Sequence, residues 1–159
     1  MIYLDNAATT YFKPTSVINA VGTALKYLSA NPGRSSHSLA VKAGMMIEDT
    51  RESAAKMFGT TPDKVVFTLN CTDALNTAIF GTAKKGGHIV TTVLEHNSVL
   101  RPLMRLKELG IADYTALSPL VGGFVSAEQI ASALRPNTYM IIVNHISNVT
   151  GAPQPIADI

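Results

Sequence analysis

The chain has 159 residues, which corresponds to one domain of ordinary size with room for a buried core. Hydrophobic residues make up 47% of it and charged residues 15%, a composition that excludes an intrinsically disordered chain. The formal net charge is +2 and no basic stripe is present, so nucleic-acid binding has no electrostatic support.

The cellular compartment follows from cysteine use and hydropathy. A single cysteine, Cys71, excludes an intrachain disulfide framework and favours a reducing environment. No apolar run reaches transmembrane length, and Asp5 interrupts the start before a signal peptide can develop. We therefore predict a cytoplasmic protein with no membrane partner. The chain stops just after Pro155, a residue typical of a helix start, so we expect a fragment of a longer protein.

Residues 1–62 are predicted to form an N-terminal helical segment. Its first helix begins at Pro14, and its second helix runs from about residue 39 to residue 58. The polar residues between the two helices include Ser36 and Ser38, either of which is a candidate cap for the second helix.

Residues 63–159 are predicted to form part of an α/β domain with a mainly parallel sheet and flanking helices. Strands and helices alternate along this segment, which is the pattern of a parallel α/β sheet. The last predicted strand is apolar throughout, as a buried parallel strand should be. The predicted strands cover residues 65–68, 89–92, 114–117 and 139–144, and the predicted helices cover residues 72–83, 99–109 and 127–134.

Polar residues follow three of the predicted strands, at residues 70–73, 95–98 and 145–150. Ligands of parallel sheets bind beyond the carboxyl ends of the strands, so we expect these junctions to form one site. A helix that starts near Thr72 offers unpaired N–H groups and its positive dipole end to a phosphate. A local interpretation stays open, in which Asn70 or Thr72 only caps its own helix.

Five motifs occur in order along the chain. They are YLDNAATT at residues 3–10, NPGRSSH at 31–37, VVFTLNCTDALN at 65–76, LEHNSVLRP at 94–102 and HISNVTGAPQPI at 145–156. In this order and spacing, the motifs resemble the class V aminotransferase family of pyridoxal-phosphate enzymes, and within it the cysteine desulfurases and selenocysteine lyases. The resemblance covers only the N-terminal part of a family member. It implies part of the large domain of a pyridoxal-phosphate-dependent transferase fold.

The resemblance implies roles for particular residues. The backbone of Cys71 and the side chain of Thr72 would bind the phosphate of pyridoxal 5'-phosphate. His96 would stack on the cofactor ring and relay protons, which makes it the candidate catalytic residue. Asn148 would hydrogen-bond the phenolic oxygen of the cofactor. At position 73 the family carries glutamate more often than the aspartate found in this chain.

Two residues of the first segment match positions on the substrate side of the family's pocket, namely Ala8 and His37. The alternatives for them are loop packing for Ala8 and an ordinary surface histidine for His37. His96 can likewise be a helix cap or a solvated loop residue, and Asn148 can be a turn residue before a glycine. No metal site is predicted.

Two other reactive side chains are predicted to have no part in the chemistry. Cys71 lies at the phosphate turn and is predicted to be structural, because the persulfide-forming cysteine of the family lies farther along the sequence than residue 159. His88 follows two glycines and is predicted to lie in a surface turn.

The resemblance also implies which parts of the pocket this chain lacks. None of its lysines follows the His-Lys pattern of the family's Schiff-base lysine. The aspartate that pairs with the pyridinium nitrogen and the arginine that binds the substrate carboxylate are also missing. The chain therefore holds half of a cofactor pocket and is predicted to be inactive alone.

Three hypotheses about function stay open. The first is the N-terminal part of a homodimeric cysteine desulfurase-like enzyme, which converts L-cysteine to L-alanine and passes sulfur through an enzyme persulfide to an acceptor protein. The second is another class V enzyme that acts on a different amino acid. The third is a non-catalytic module that binds a phosphate ligand or a partner chain.

Overall fold

The computed structural model describes residues 2–33 and 37–159. The chain divides into two compact units, Met1–Phe67 and Thr68–Ile159. Within the described residues, no helix combines the length and the hydropathy that crossing a membrane requires.

Two helices build the first unit. Helix α1 covers Thr15–Tyr27 and helix α2 covers Ser38–Met57, with a 3-10 turn at Pro62–Lys64 after them. The predicted serine cap of α2 is wrong for Ser38, which is the first helical residue, and Ser36 lies outside the described residues. The cap is His37, whose Nδ1 accepts the N–H of Ala40 at 3.2 Å.

The strand predicted at residues 65–68 does not form. The backbone of Val65 is extended, but residues 65–68 belong to no sheet among the described residues. The Val66 side chain is 79% exposed, and the carbonyl of Val65 accepts a hydrogen bond from Nε of Arg51 at 3.1 Å. A strand needs a neighbour to complete its hydrogen-bond ladder, and no described segment provides one here. The strand predicted from this apolar run is therefore wrong for the part of the chain that the structure describes.

A three-stranded parallel sheet forms the centre of the second unit. Its strands are β1 at Gly87–Thr92, β2 at Ala112–Leu117 and β3 at Thr138–Ile141. The order is β2-β1-β3, and both pairings are parallel, which confirms the predicted sheet type. Strand β1 lies in the middle and is buried along its whole length.

Strand β3 differs from the buried strand that the sequence predicts. It ends at Ile141 instead of residue 144, and Ile141 is 42% exposed. The reason is its place at the edge of the sheet, where only β1 pairs with it. The N–H of Ile142 still donates to the carbonyl of Val90 at 2.9 Å, so the chain follows β1 for one more residue.

Helices cover both faces of the sheet. Helices α3 at Cys71–Gly81 and α4 at Asn97–Glu108 contribute to one core, and α5 at Ala127–Ala133 contributes to the other. Successive side chains of a strand point to opposite faces, so neighbouring residues of β1 enter different cores. The first core contains Ile79, Ile89, Val99, Leu103, Leu106 and Ala112, and the second contains Val90, Val125 and Ile130.

His88 is fully buried, so its predicted place in a surface turn is wrong. Its Nδ1 lies 2.8 Å from Oγ1 of Thr138, and its Nε2 lies 2.9 Å from Oγ1 of Thr115. The histidine thus connects all three strands. Burial and the nearby Arg135 guanidinium lower its pKa, while Asp113 raises the pKa to a lesser extent. The preceding glycines suggest a turn, but the second of them already belongs to β1.

Candidate functional site

Two of the three polar junctions lie at the edge of the sheet where the parallel strands end. Residues 93–96 leave the carboxyl end of β1, and residues 142–151 follow β3. Helix α4 starts directly at this edge, with His96 as its N-cap. Helix α3 packs against α4 and leads through a short turn into the amino end of β1, from which we infer that its N-terminus, with the third junction, points toward the same edge.

The N-terminus of α3 is capped by Asn70, as the local interpretation of this junction predicts. Its Oδ1 accepts the N–H of Asp73 at 2.9 Å, and Oδ2 of Asp73 accepts the N–H of Leu69 at 3.2 Å. The N–H groups of Cys71 and Thr72 have no hydrogen-bond partner among the described residues, and both side chains are exposed. Capping therefore leaves two N–H donors and one hydroxyl for an anion.

His96 caps α4, so the capping interpretation of this residue is also confirmed. Its Nδ1 accepts the N–H of Ser98 at 3.1 Å and lies 2.8 Å from Oγ of the same serine. Because Nδ1 accepts a backbone N–H, the neutral ring carries its proton on Nε2. The residue is exposed, so both its ring face and its Nε2–H are accessible to a ligand.

Asn148 begins a turn within a loop that other residues hold in shape. The hydroxyl of the buried Ser147 accepts the N–H groups of Val149 and Thr150, each at 3.3 Å. Asn148 is exposed, and its side chain makes no hydrogen bond to any described residue. The turn interpretation is thus correct for its backbone, while its amide group stays available for a ligand.

Gln154 anchors this loop, and the sequence provides no signal for that role. The side chain is buried, and its Oε1 accepts the N–H of Val125 at 2.9 Å. Its Nε2 donates to the carbonyl of Gly123 at 3.1 Å. The loop that contains Asn148 is therefore attached to the segment that precedes α5.

Glu95 is a second residue of this edge for which the sequence suggests no role. It is 8% exposed, and its Oε1 accepts both the hydroxyl of Thr92 and the N–H of Asn144, each at 2.9 Å. Nδ2 of Asn144 donates to the carbonyl of Leu94 at 2.9 Å. Burial raises the pKa of Glu95, and its two hydrogen bonds partly oppose that rise. These bonds join the junction after β1 to the junction after β3.

The two residues predicted on the substrate side, Ala8 and His37, lie in the first unit. Ala8 is exposed in a turn that the hydroxyl of Tyr3 holds by contacts to the carbonyls of Asp5 and Thr9, at 3.1 Å and 2.9 Å. His37 is the cap of α2. Their role toward a substrate stays a prediction.

The lysines of the second unit lie away from the candidate site. Lys84 and Lys85 are in the turn that leads into the amino end of β1. Lys107 lies near the end of α4, where its Nζ pairs with Oδ1 of Asp113 at 2.9 Å. Within residues 68–159, the edge that carries the polar junctions therefore contains no lysine. Across the described residues, no group of three or more His, Cys, Asp and Glu side chains can hold a metal ion.

Comparisons with known proteins agree with the motifs. A family model described as Aminotransferase class-V matches residues 2–159. The chain is 34% identical over 159 residues to a probable cysteine desulfurase of Methanothermobacter thermautotrophicus, covering 99% of this chain and 39% of that protein. It is also 34% identical to a selenocysteine lyase of Xenopus tropicalis, covering 99% of this chain and 40% of that protein.

The fold is also similar to that of solved structures. The structure described as SspA in complex with cysteine matches with a TM-score of 0.88 and 35% identity, over 98% of this chain and 45% of that one. The chain thus spans less than half the length of these proteins, and the shared stretch is the N-terminal part of the relatives.

Proposed function

Because the chain belongs to the aminotransferase class-V family, we propose that it is the N-terminal part of a pyridoxal-phosphate-dependent cysteine desulfurase-like enzyme. The reaction would convert L-cysteine to L-alanine and transfer the sulfur to an enzyme cysteine as a persulfide. The observation that carries the proposal is the edge described above, where free helix N–H groups, an accessible imidazole and a free carboxamide follow one parallel sheet. The similarity to the cysteine-bound SspA structure supports L-cysteine as the substrate.

The residues at this edge fit the parts of pyridoxal phosphate. The N–H groups of Cys71 and Thr72 and the threonine hydroxyl would bind the phosphate at the positive end of α3. The exposed ring of His96 would stack on the pyridine ring. The carboxamide of Asn148 would donate to the phenolic oxygen. When bound, the cofactor supplies an electron sink for bonds at the amino acid's α-carbon.

The capping geometry limits how His96 can act on a proton. Its Nδ1 is occupied by the N–H of Ser98, so a proton can be exchanged only at Nε2. None of the chain's lysines follows the family's His-Lys pattern, and those of the second unit lie at the opposite edge, so we propose that this chain alone binds the cofactor at most weakly, without a covalent bond, and is inactive.

The experiment is an assay of the enzyme from the complete coding sequence that contains these residues. The purified protein is given pyridoxal phosphate, L-cysteine and a thiol, and alanine and sulfide are quantified. We expect one alanine for each sulfide released. An enzyme that consumes no L-cysteine and binds no pyridoxal phosphate would contradict the proposal.

A selenocysteine lyase activity is the second candidate, favoured by the similarity to the relative of that name. A parallel assay with L-selenocysteine distinguishes the two substrates by the ratio of kcat/KM. Phosphate binding without turnover of any amino acid would instead favour the non-catalytic module.

The assembly and location of the enzyme are also proposals. We propose a homodimer that delivers sulfur to an acceptor protein in the cytoplasm. The free Cys71 supports a reducing compartment, although one relative is a mitochondrial cysteine desulfurase.

A further inference from the structure

We propose that Glu95 is a positioning residue that holds the His96 junction and the Asn148 loop at a fixed separation, and this role rests on the proposed function. Neither the family resemblance nor the spacing of the motifs assigns Glu95 a part in the site. Its buried carboxylate lies between two junctions that each contribute one candidate cofactor contact.

The hydrogen bonds of Glu95 join two separate parts of the chain. One oxygen, Oε1, accepts the hydroxyl of Thr92 at the end of β1 and the N–H of Asn144 beyond β3. The amide of Asn144 returns a bond to the carbonyl of Leu94, and the N–H of Leu94 donates to the hydroxyl of Thr92 at 3.2 Å. These four residues form a continuous hydrogen-bond network across the carboxyl edge of the sheet.

This hydrogen-bond network affects the positions of both candidate cofactor contacts, His96 and Asn148, because both lie close to it in the chain. His96 directly follows Glu95, so the backbone of Glu95 determines where the cap of α4 begins. Asn148 lies four residues beyond Asn144, in the loop that Ser147 and Gln154 hold in shape. Ile142 still bonds to β1 through its N–H and its carbonyl, and beyond it the bonds of Asn144 to Glu95 and Leu94 hold the start of the loop at this edge.

Loss of the acceptor would have a specific consequence. The N–H of Asn144 would lie in a half-buried position without its partner, which is costly for a backbone donor. We expect the loop to be held less tightly at β1, because only the bonds of Ile142 and of the Asn144 side chain then remain there. Glutamine at position 95 keeps an oxygen acceptor of the same reach, whereas alanine removes it.

The test compares amide hydrogen exchange and chemical shifts by NMR in the protein from the complete coding sequence that contains these residues and in its variants Glu95→Gln, Glu95→Ala and Asp113→Ala. The last is a matched control, because Asp113 is a carboxylate with side-chain partners at the opposite edge of the sheet. We expect Glu95→Ala to speed exchange of the Asn144 amide by about tenfold or more and to shift the Asn148 resonance. Glu95→Gln and Asp113→Ala should leave both signals near those of the unmodified chain.

Pyridoxal phosphate affinity is measured on the same proteins by fluorescence titration. We expect Glu95→Ala to weaken binding by about tenfold and Glu95→Gln to retain it, since a lost positioning contact costs about one hydrogen bond. Absence of cofactor binding by the unmodified protein from the complete coding sequence would count against the proposed function, while hydrogen exchange would still decide the role of Glu95.

The inference is overturned if folded Glu95→Ala leaves exchange of the Asn144 amide unchanged, or shifts residues 92–96 while the Asn148 resonance stays in place. If Glu95→Ala does not fold, the Thr92→Val variant tests the inference instead. It removes one hydrogen-bond donor to Oε1 of Glu95 and keeps the shape of the residue 92 side chain. Thr92→Val should speed exchange of the Asn144 amide by about threefold, and no change would overturn the inference.

Discussion

Two histidines that the motifs mark as site residues, His37 and His96, use Nδ1 to cap a helix. Histidine is not among the usual N-cap residues, and the sequence suggests capping only as an alternative for His96 and not at all for His37. Capping fixes the tautomer and leaves Nε2 free. The structural and the proposed catalytic interpretations of His96 are thus compatible, since they use different atoms of the ring.

The two roles of His96 can be separated by substitution. His96→Asn keeps a good cap and removes the ring, whereas His96→Ala removes both. We expect both variants to bind pyridoxal phosphate about tenfold more weakly, and only His96→Ala to lose about 1 kcal/mol of unfolding free energy. Fluorescence titration and urea unfolding measure the two quantities. Full affinity in His96→Asn would show that the ring does not contact the cofactor.

The buried His88 predicts a dependence of stability on pH. Its pKa in the folded chain lies below the ordinary value of 6.5, at which the unfolded chain takes up the proton. The contribution of His88 is therefore complete above pH 6.5 and is lost as the pH falls below that value. We expect the unfolding free energy of the unmodified chain to fall more steeply from pH 7.5 to 5 than that of His88→Gln.

The carboxylate of Asp113, which lies near His88, does not interfere with this measurement. Hydrogen bonds to Lys107 and Arg135 lower the pKa of Asp113 to about 2, so Asp113 stays ionised in the folded chain over that range. Urea unfolding of both proteins at several pH values provides the comparison. Parallel pH profiles would mean that His88 does not titrate differently in the two states.

Among the elements, the pairing of β1 with β3 depends on a close approach at Gly87. A Cβ atom at this position would lie 2.5 Å from the ring of Tyr139, at the start of the central strand. The same ring belongs to the residues that pack against the larger core. Any side chain at this position must therefore displace Tyr139 or separate the strands.

Gly87→Ala should lower the unfolding free energy by about 1–3 kcal/mol, the usual cost of overpacking. Gly44→Ala is the matched control, because Gly44 lies inside α2 and a Cβ there meets no atom within 4 Å. The control should be stabilised by about 0.5–1 kcal/mol, since alanine favours a helix more than glycine does. Urea unfolding measures both changes, and equal effects of the two substitutions would contradict the close contact.

At the scale of the whole molecule, much apolar surface is exposed. Leu69, Val121 and Val149 are among the most exposed side chains, and the two outer strands each pair on one side only within the described sheet. Exposed apolar patches and unpaired strand edges favour association. The chain matches less than half of its relatives' length, so the same surfaces can be covered by further residues in the longer proteins.

We therefore expect the 159-residue chain to self-associate. Sedimentation velocity at several protein concentrations should show a species larger than the monomer, with a fraction that grows with concentration. Ile141→Lys places a charge on the exposed edge strand and should reduce that fraction, because charged edges resist pairing. A monomer at every concentration would contradict the prediction.

Much of the architecture could be predicted from the sequence alone. Alternating apolar runs and helical periods located β1, β2 and helices α1 to α5 to within a few residues, because those patterns reflect burial along single elements. The motifs predicted the family, which the match over residues 2–159 confirms. The roles of Thr72, His96 and Asn148 toward a cofactor stay predictions. Loop geometry depends on contacts between distant segments, and no periodicity encodes those contacts.

By itself, the sequence determined the parallel α/β class, the order of the elements and the family, since each depends on local patterns or on motifs read in order. Only the tertiary structure decided that, within residues 2–33 and 37–159, residues 65–68 lack a strand partner and β3 is an edge strand, and that His88 is buried. It alone also revealed Glu95 and Gln154 as the side chains that hold the loops. Those outcomes depend on hydrogen bonds between residues about 30 to 50 positions apart, whose partners are chosen by folding and not by neighbouring residues.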